Sequence, residues 1–355
     1  MKDRIEAVRD LLKRTDTDAA LLTSGENIRY FTGFTSTDGV VLVSDHDAAL
    51  FTDFRYIYQA KEQIPDMVRL VETGRGSFND ALKEYIRKND VRTIGFEENA
   101  VTVGRFDAMS DLSAEWKRMG KEISSIRLQK SDTERENLQS AQNIADIAYS
   151  ELLNRVRPGM TEKEVAAELD YLGAMHGSEG PSFETIVGSG PNGAMCHAVP
   201  GDRKLQQGDL VVVDFGCIKN GYHSDTTRTF AIGPIDPELE RIYSITLEAQ
   251  LLVLENLKPG MKGRDLDRIA RDHISKHGYG KCFGHSLGHG VGLLIHESPY
   301  ASATSEDILL PGTTITVEPG IYLEGKGGVR IEDCCMLTEN GFLDFTKLPK
   351  ELIRL

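Results

Sequence analysis

Four acidic residues stand at or beyond the ends of stretches that a soluble protein would otherwise keep apolar. Asp214 follows Val211-Val212-Val213, and Glu318 follows Ile315-Thr316-Val317. Burying an unpaired charge is costly, so such a carboxylate must pair, protonate or hold a metal. One acid of this kind is ordinarily a satisfied structural residue, but two at matching places are harder to dismiss. Each is followed by a second acid, Asp225 after the first and Glu332 after the second. His289 lies in Gly288-His289-Gly290-Val291-Gly292, where small residues permit close approach. Alone it would read as a satisfied loop histidine. Together, Asp214, Asp225, His289, Glu318 and Glu332 make metal ligation the leading interpretation. Four carboxylates around two divalent ions leave little net charge, and oxygen donors with one imidazole suit Mn²⁺, Co²⁺ or Zn²⁺ rather than a thiolate site. Two ions ~3.5–4 Å apart can share a water and lower its pKa, which is hydrolytic chemistry.

The elements that must position these residues repeat. Val156-Arg157-Pro158-Gly159-Met160 returns as Leu257-Lys258-Pro259-Gly260-Met261, and Gly208 to Gly216 is echoed by Gly312 to Gly320. Internal repetition of this kind implies two related units. Each half reads as helix, helix, strand, strand, facing the other across a pseudo-twofold and delivering two carboxylates to the middle. Residues two apart on a strand share a face. Asp225 therefore shares one with Thr227, and Glu332 with Arg330, which could pair with a ligand carboxylate or hold a substrate. Leu138, Ala141, Ala145, Ala148 and Leu152 form one apolar stripe, predicting a long helix that Arg157-Pro158-Gly159 ends. Thr161 with Glu164 reads as a capping box opening the next helix.

The length, 355 residues, exceeds one ordinary core and predicts two domains. Before Gln129-Lys130-Ser131-Asp132 the pattern alternates helices and strands, with Arg4 to Leu12 helical and short buried strands at Ala19-Leu22, Val40-Val43 and Thr93-Phe96. Asp53 and Arg55 there read as a structural ion pair. The net charge of −14, with scattered Lys and Arg, argues against nucleic acid. Five cysteines without a C-x-x-C pair disfavour a disulfide framework or a structural zinc site and fit a reducing cytoplasm. Met1-Lys2-Asp3-Arg4-Ile5-Glu6 is charged where a signal peptide needs an apolar run, and no stretch is long enough to span a membrane.

Two motifs compete. Gly284-His285-Ser286-Leu287-Gly288 has the form of a nucleophile elbow, which requires a strand before and a helix after. Another glycine-rich segment follows instead, and no histidine comes after the later acids. Gly188-Ser189-Gly190-Pro191-Asn192-Gly193 has the form of a dinucleotide loop, which requires a helix starting at the glycines. The chain runs on through Pro200 and Gly201 without a helical stripe, so a substrate-side loop is expected.

The segments Val213-Asp214-Phe215-Gly216, Ser224-Asp225-Thr226-Thr227-Arg228-Thr229, Gly288-His289-Gly290, Val317-Glu318-Pro319-Gly320 and Arg330-Ile331-Glu332-Asp333 resemble those of the pita-bread metallopeptidases: prolidase (Xaa-Pro dipeptidase), aminopeptidase P and methionine aminopeptidase. The resemblance covers roughly Ser131 to the C-terminus. Asn27-Ile28-Arg29-Tyr30-Phe31-Thr32-Gly33-Phe34 resembles the creatinase-type N-terminal domain of the proline-directed members. The fold so implied is α+β: a creatinase-type α/β domain over residues 1–128, then a pita-bread domain over 131–355 with an internal pseudo-twofold repeat.

The resemblance also implies roles. Asp225 and Glu332 would bridge two divalent ions, Mn²⁺ first with Co²⁺ or Zn²⁺ as alternatives. Asp214 would bind one ion, and His289 with Glu318 the other. Glu318 would also serve as general base on the bridging water. His197 and His296 would be catalytic, the first near the scissile peptide and the second at the oxyanion. His285 and Arg330 would meet the substrate. His223 stays unassigned. The implied activity is hydrolysis of the bond between an N-terminal residue and proline, in a cytoplasmic homodimer acting on small peptides. The alternatives are an aminopeptidase P acting on longer peptides, a non-catalytic pita-bread binding protein, and a metal-free creatinase-like amidinohydrolase. Occupancy of every ligand position argues against the last two.

Overall fold

The computed structural model describes residues 2–74, 78–110 and 112–355. It separates into two compact units, Met1–Leu128 and Gln129–Leu355.

The first unit is built on a six-stranded mixed sheet, ordered Arg69–Thr73, Ala48–Asp53, Val40–Ser44, Ala19–Leu22, Thr93–Phe96, Glu115–Arg118. All four residues of Ala19–Leu22 are buried, as expected of a central strand covered on both faces. Helix Lys2–Thr15 buries Ile5, Val8, Leu11 and Leu12, one stripe at helical spacing. The Glu97 carboxylate, itself buried, accepts hydrogen bonds from the Ser24 hydroxyl (2.7 Å), the Thr23 and Ser24 amides and the Asn27 side chain. This anchors helix Gly25–Thr32, in which Ile28 and Phe31 are wholly buried. The Asn27–Phe34 segment is thus scaffold. Asp53 and Arg55 form the anticipated ion pair at 2.7 Å.

The second unit shows the repeat in its backbone. Helices Asp132–Leu153 and Glu162–Met175 serve one half, and Pro237–Asn256 and Gly263–Lys276 the other. The turn glycines Gly159 and Gly260 both take left-handed φ, 93° and 87°, which L side chains rarely adopt. Their amides make equivalent bonds, Gly159 to the Leu205 carbonyl and Gly260 to that of Leu309. The Thr161–Glu164 capping box is present. A second box, Ser131 with Glu134, opens the preceding helix and was not expected from the sequence. That helix also ends earlier than the apolar stripe suggests, at Leu153 rather than at Arg157-Pro158-Gly159. Val156 is still buried, so the hydrophobic pattern outlasts the helical conformation.

Two three-stranded antiparallel sheets face the helices. One is ordered Thr226–Ala231, Leu210–Phe215, Ile186–Ser189, and the other Thr314–Val317, Asp333–Thr338, Gly341–Asp344. Strand alternation divides their faces. Val211, Val213 and Phe215 pack into the core beneath the first helix pair, with Phe215 stacked on Tyr149 at 5.2 Å. Ile315 and Val317 do the same beneath the second pair. Asp214 and Glu318 therefore project from the opposite faces.

A buried ionic junction ties these strands to the C-terminal segment. Asp333, wholly buried, accepts from Arg228 at 2.7 Å and Gln250 at 2.5 Å and lies 2.7 Å from the Lys350 ammonium. Removing one partner of such a pair leaves the other charged and dry, at a cost of ~3–5 kcal/mol. Asp333→Ala should accordingly lower the unfolding free energy of the metal-free chain, measured by urea titration, by an amount in this range. A loss under ~1 kcal/mol by circular dichroism would show that Arg228 is satisfied without it.

Candidate active site and metal centre

Five elements of the second unit deliver the five candidate donors to one place. Asp214 sits on Leu210–Phe215, Asp225 immediately precedes Thr226–Ala231, His289 lies on Gly288–Gly290, Glu318 follows Thr314–Val317, and Glu332 precedes Asp333–Thr338. All five line a single cavity of about 600 Å³, together with His197, His285, His296 and Arg330. Donor atoms of Asp214, Asp225 and Glu332 lie within 4.8 Å of one another. His289 Nε2 lies 3.5 Å from Asp225 Oδ2 and 3.4 Å from Glu318 Oε1.

Glycine makes the approach of His289 possible. A Cβ at Gly288 would fall 2.0 Å from the Thr316 carbonyl oxygen. With that space free, the Thr316 hydroxyl accepts from the His289 amide at 3.0 Å and donates to Glu318 Oε1 at 3.1 Å. The His289 Nδ1–H donates to the Gly290 carbonyl at 3.1 Å, which leaves Nε2 as the lone-pair nitrogen facing the carboxylates.

The remaining carboxylates are steered in the same way. Thr227 donates to Glu332 Oε2 at 2.7 Å, and Arg330 Nη2 to Asp214 Oδ2 at 2.5 Å. Asp214 Oδ1 is buried and finds no hydrogen-bond partner among the described residues. Arg330 is only 2% exposed and spends its other donors on Thr227, the Cys196 carbonyl and the Tyr322 hydroxyl. Of the two roles the sequence left open, pairing with a ligand carboxylate or meeting the substrate, the first is the one its geometry shows: it lines the cavity and holds Asp214. The Tyr322 hydroxyl in turn donates to His285 Nε2 at 2.9 Å, while His285 Nδ1–H donates to the Ser286 carbonyl at 2.8 Å.

Burial and mutual repulsion dominate the electrostatics. Burial first, then the Glu332, Asp214 and Glu318 charges, raise Asp225 well above the ordinary carboxylate range. Glu332 is raised for the same reasons, burial and then Glu318 and Asp214. Burial pushes Glu318 up to about 8 although Arg330 opposes it. Burial pushes His289 and His285 down to about 4, so both imidazoles stay neutral near pH 7. Uncompensated carboxylates, an orphaned Asp214 oxygen and a neutral imidazole aimed at them are the donor set that divalent cations fit.

His197 and His296 stand exposed at the cavity, the His296 ring edge-on to His289 at 4.3 Å. Burial holds His296 below its usual value, against an upward pull from Asp214. Ser286 also lines the cavity, but a short strand, Gly288–Gly290, follows it where an elbow needs a helix. The glycines at 188–193 run from a strand into one 3₁₀ turn, Gly190–Ala194, and are absent from the cavity lining, unlike the flanking Phe183–Ile186 and Cys196–Pro200. The loop is a packing element, since a Cβ at Gly328 would meet the Gly193 carbonyl at 2.0 Å. Tyr322 and Thr316 were not identified from the sequence. An aromatic residue registered opposite Gly328, two residues from Arg330 on the partner strand, was the available signal for Tyr322.

A repeated helix-helix-strand-strand unit that gathers four carboxylates and a neutral imidazole facing them in one cavity defines a metallohydrolase of the pita-bread kind. The chain belongs to metallopeptidase family M24, which residues 136–339 match, and residues 4–129 match the creatinase/prolidase N-terminal domain. It is 42% identical over 352 residues to an uncharacterized peptidase, YqhT, of Bacillus subtilis, covering 99% of each chain. Among solved structures it resembles an Xaa-Pro dipeptidase from Bacillus anthracis, with TM-score 0.97, 40% identity and coverage of 100% and 99%. It also resembles an X-Pro aminopeptidase from Thermotoga maritima, with TM-score 0.91, 37% identity and coverage of 99% and 100%. The family implies a dinuclear metal site.

These shifts predict how stability depends on pH without metal. The folded chain holds protons on Asp225, Glu318 and Glu332 that the unfolded chain releases, so stability falls as pH rises, for Glu318 from 4.5 to about 8. His285 and His289 act oppositely, adding stability as pH rises from about 4 to 6.5. Above 6.5 only the carboxylates remain in play. Calorimetry on chelator-treated protein should show the melting temperature falling between pH 6.5 and 8, and saturating Mn²⁺ should abolish the fall. A metal-free melting temperature that rises over this interval would contradict the assignment.

Proposed function

We propose that this metallopeptidase hydrolyses the bond between an N-terminal residue and proline, acting as an Xaa-Pro dipeptidase. The convergence of Asp214, Asp225, His289, Glu318 and Glu332 in one cavity beside His197, His285 and His296 carries this reading. Relatives described as Xaa-Pro dipeptidases support the substrate class. The relative described as an X-Pro aminopeptidase keeps longer Xaa-Pro peptides as the second reading.

Asp225 and Glu332 would be shared by two divalent ions, Asp214 would complete one, and His289 with Glu318 the other. Bound there, the ions supply Lewis-acid activation of the scissile carbonyl and of a water near neutral pH. Mn²⁺ fits the oxygen-rich donor set, with Co²⁺ and Zn²⁺ as alternatives. The protein groups do the rest. Thr227, Thr316 and Arg330 each hold one carboxylate oxygen, of Glu332, Glu318 and Asp214 respectively, and so fix the orientation of these three groups. Glu318 accepts the proton of the attacking water. His296 steadies negative charge developing on the carbonyl oxygen, and His197 sits by the scissile peptide to carry a proton to the leaving nitrogen. Tyr322 and Ser286 fix the His285 ring, placing Nδ1 4.0 Å from Glu318.

Proline suits this cavity for a chemical reason. Its imide nitrogen has no hydrogen, so the bond cannot donate a hydrogen bond to an acceptor on the protein. Recognition must come from shape, and Phe183, Ile186, Val199 and Ile295 line the cavity with apolar surface. Protonation of the departing nitrogen must come from a group that titrates near neutrality, as imidazole does.

Exhaustive chelation should abolish hydrolysis, and Mn²⁺ should restore it. Glu318→Gln should lose ~10²–10⁴-fold in kcat, while Ser286→Ala keeps at least part of the activity. A dead serine variant beside an active glutamate variant would reverse the assignment.

Paired peptides test the substrate. Ala-Pro and Met-Pro should be cleaved faster than Ala-Ala and Met-Ala, and equal rates would refute proline specificity while leaving the metal centre intact. Within the proline series, Ala-Pro should be preferred over Ala-Pro-Ala. The reverse order would make the enzyme an aminopeptidase.

A further inference from the structure

The second helix pair of the catalytic unit carries a set of donors that the peptidase site does not use. His273 and His277 are four residues apart at the C-terminal end of helix Gly263–Lys276, a spacing that stacks two side chains on one helical face. Glu248 comes from the neighbouring helix Pro237–Asn256. One donor atom of each lies within 4.8 Å of the other two, and the two imidazole centroids are 4.6 Å apart.

The donors have the chemistry of ligands. His277 Nδ1–H donates to the His273 carbonyl at 3.0 Å, which fixes the ring and leaves Nε2 with the lone pair. His273 Nε2 is buried and makes no hydrogen bond among the described residues. Its nearest charged neighbour is Glu248 Oε2, at 3.2 Å. A buried polar nitrogen left without a bond calls for an explanation. A cation held between His273, His277 and the Glu248 carboxylate would give this nitrogen a partner.

We propose that Glu248, His273 and His277 form a second metal site, separate from the peptidase centre, that takes a borderline divalent transition-metal ion. Two imidazoles and one carboxylate are a donor set typical of Zn²⁺, with a fourth position left for water. Glu248 is 57% exposed and the His273 side chain 15%, so the ion would enter from solvent and clip the two helices together. The buried centre, rich in carboxylate, favours harder ions, and the two sites differ in preference accordingly.

The test counts bound metal, and its readout is the difference between variants, so it holds whatever the peptidase centre binds. Tag-free chain is stripped with chelator, equilibrated with Zn²⁺, desalted and analysed for bound zinc. The double variant His273→Ala/His277→Ala should bind one equivalent fewer than the wild type, and Glu248→Gln should weaken that equivalent about tenfold or more. Mn²⁺-supported peptidase activity should be unchanged in all of them. If circular dichroism shows the double variant unfolded, Glu248→Gln/His277→Gln, which spares the more buried imidazole, replaces it. Equal zinc content in wild type and folded variants overturns the proposal. Loss of zinc from the peptidase centre alone, with this equivalent retained, would instead count against the five-residue assignment.

Discussion

Four carboxylates held together away from water are the constraint to which the rest of the catalytic unit answers. Two like charges about 4 Å apart repel by ~4 kcal/mol at the effective dielectric of a partly buried protein site. Asp225 and Glu332 are 4% and 1% exposed, so solvent does little to screen them. Among the described residues the guanidinium of Arg330 faces this charge directly, through Asp214. Protonation offers one escape, visible in the upward shifts of Asp225, Glu318 and Glu332. Divalent cations offer the other, and two of them turn the local balance from negative to slightly positive.

The surrounding structure makes such a concentration of charge foldable. Each half anchors its strands with apolar faces beneath two helices, the Val211, Val213, Phe215 face in one and the Ile315, Val317 face in the other. The cores supply the stability and the opposite faces carry the acids. Hydrogen bonds then cross between the halves: Thr227 of the first holds Glu332 of the second, and Arg330 of the second holds Asp214 of the first. Neither half is complete alone. Immediately behind the centre, the Arg228–Asp333 pair is buried as deeply as the acids, and Arg228 also donates to the Glu332 carbonyl at 2.5 Å. The strand carrying Glu332 is therefore fixed on both sides of that residue.

Chemistry and recognition divide the cavity between them. Asp214, Asp225 and Glu332 are buried and Glu318 and His289 partly so, whereas His197 and His296 are exposed and able to meet a substrate. Tyr322 joins the two zones, accepting from Arg330 and donating to His285, so the guanidinium that orients Asp214 also orients an imidazole beside Glu318. Ser286 shares the cavity but, among the described residues, its hydroxyl has no hydrogen-bonded base of the kind a nucleophile requires.

The sequence by itself determined the α+β class, the repeated halves, the family and the identities of the candidate donors. The class and the repeat follow from local pattern: alternation on strands, apolar stripes on helices, and acids placed alike in two copies; the family and the full donor set follow from the resemblance of the motifs that carry those acids and His289. The competing elbow and dinucleotide motifs were discounted on the same local grounds. Only the tertiary structure decided the pairings. Arg330 reads equally well in sequence as a substrate group or a partner for a ligand, and packing gives its donors to Asp214, Thr227, Tyr322 and the Cys196 carbonyl. The glycine loop at 188–193 looked like a substrate-side loop and instead packs against Gly328. Thr316 and Glu248 carry no motif, because the groups they face, His289 in one case and His273 and His277 in the other, lie on other elements and such contacts leave no periodicity in the chain. Burial, which moves the carboxylates far from their ordinary protonation range, depends on three-dimensional neighbours and has no one-dimensional signature.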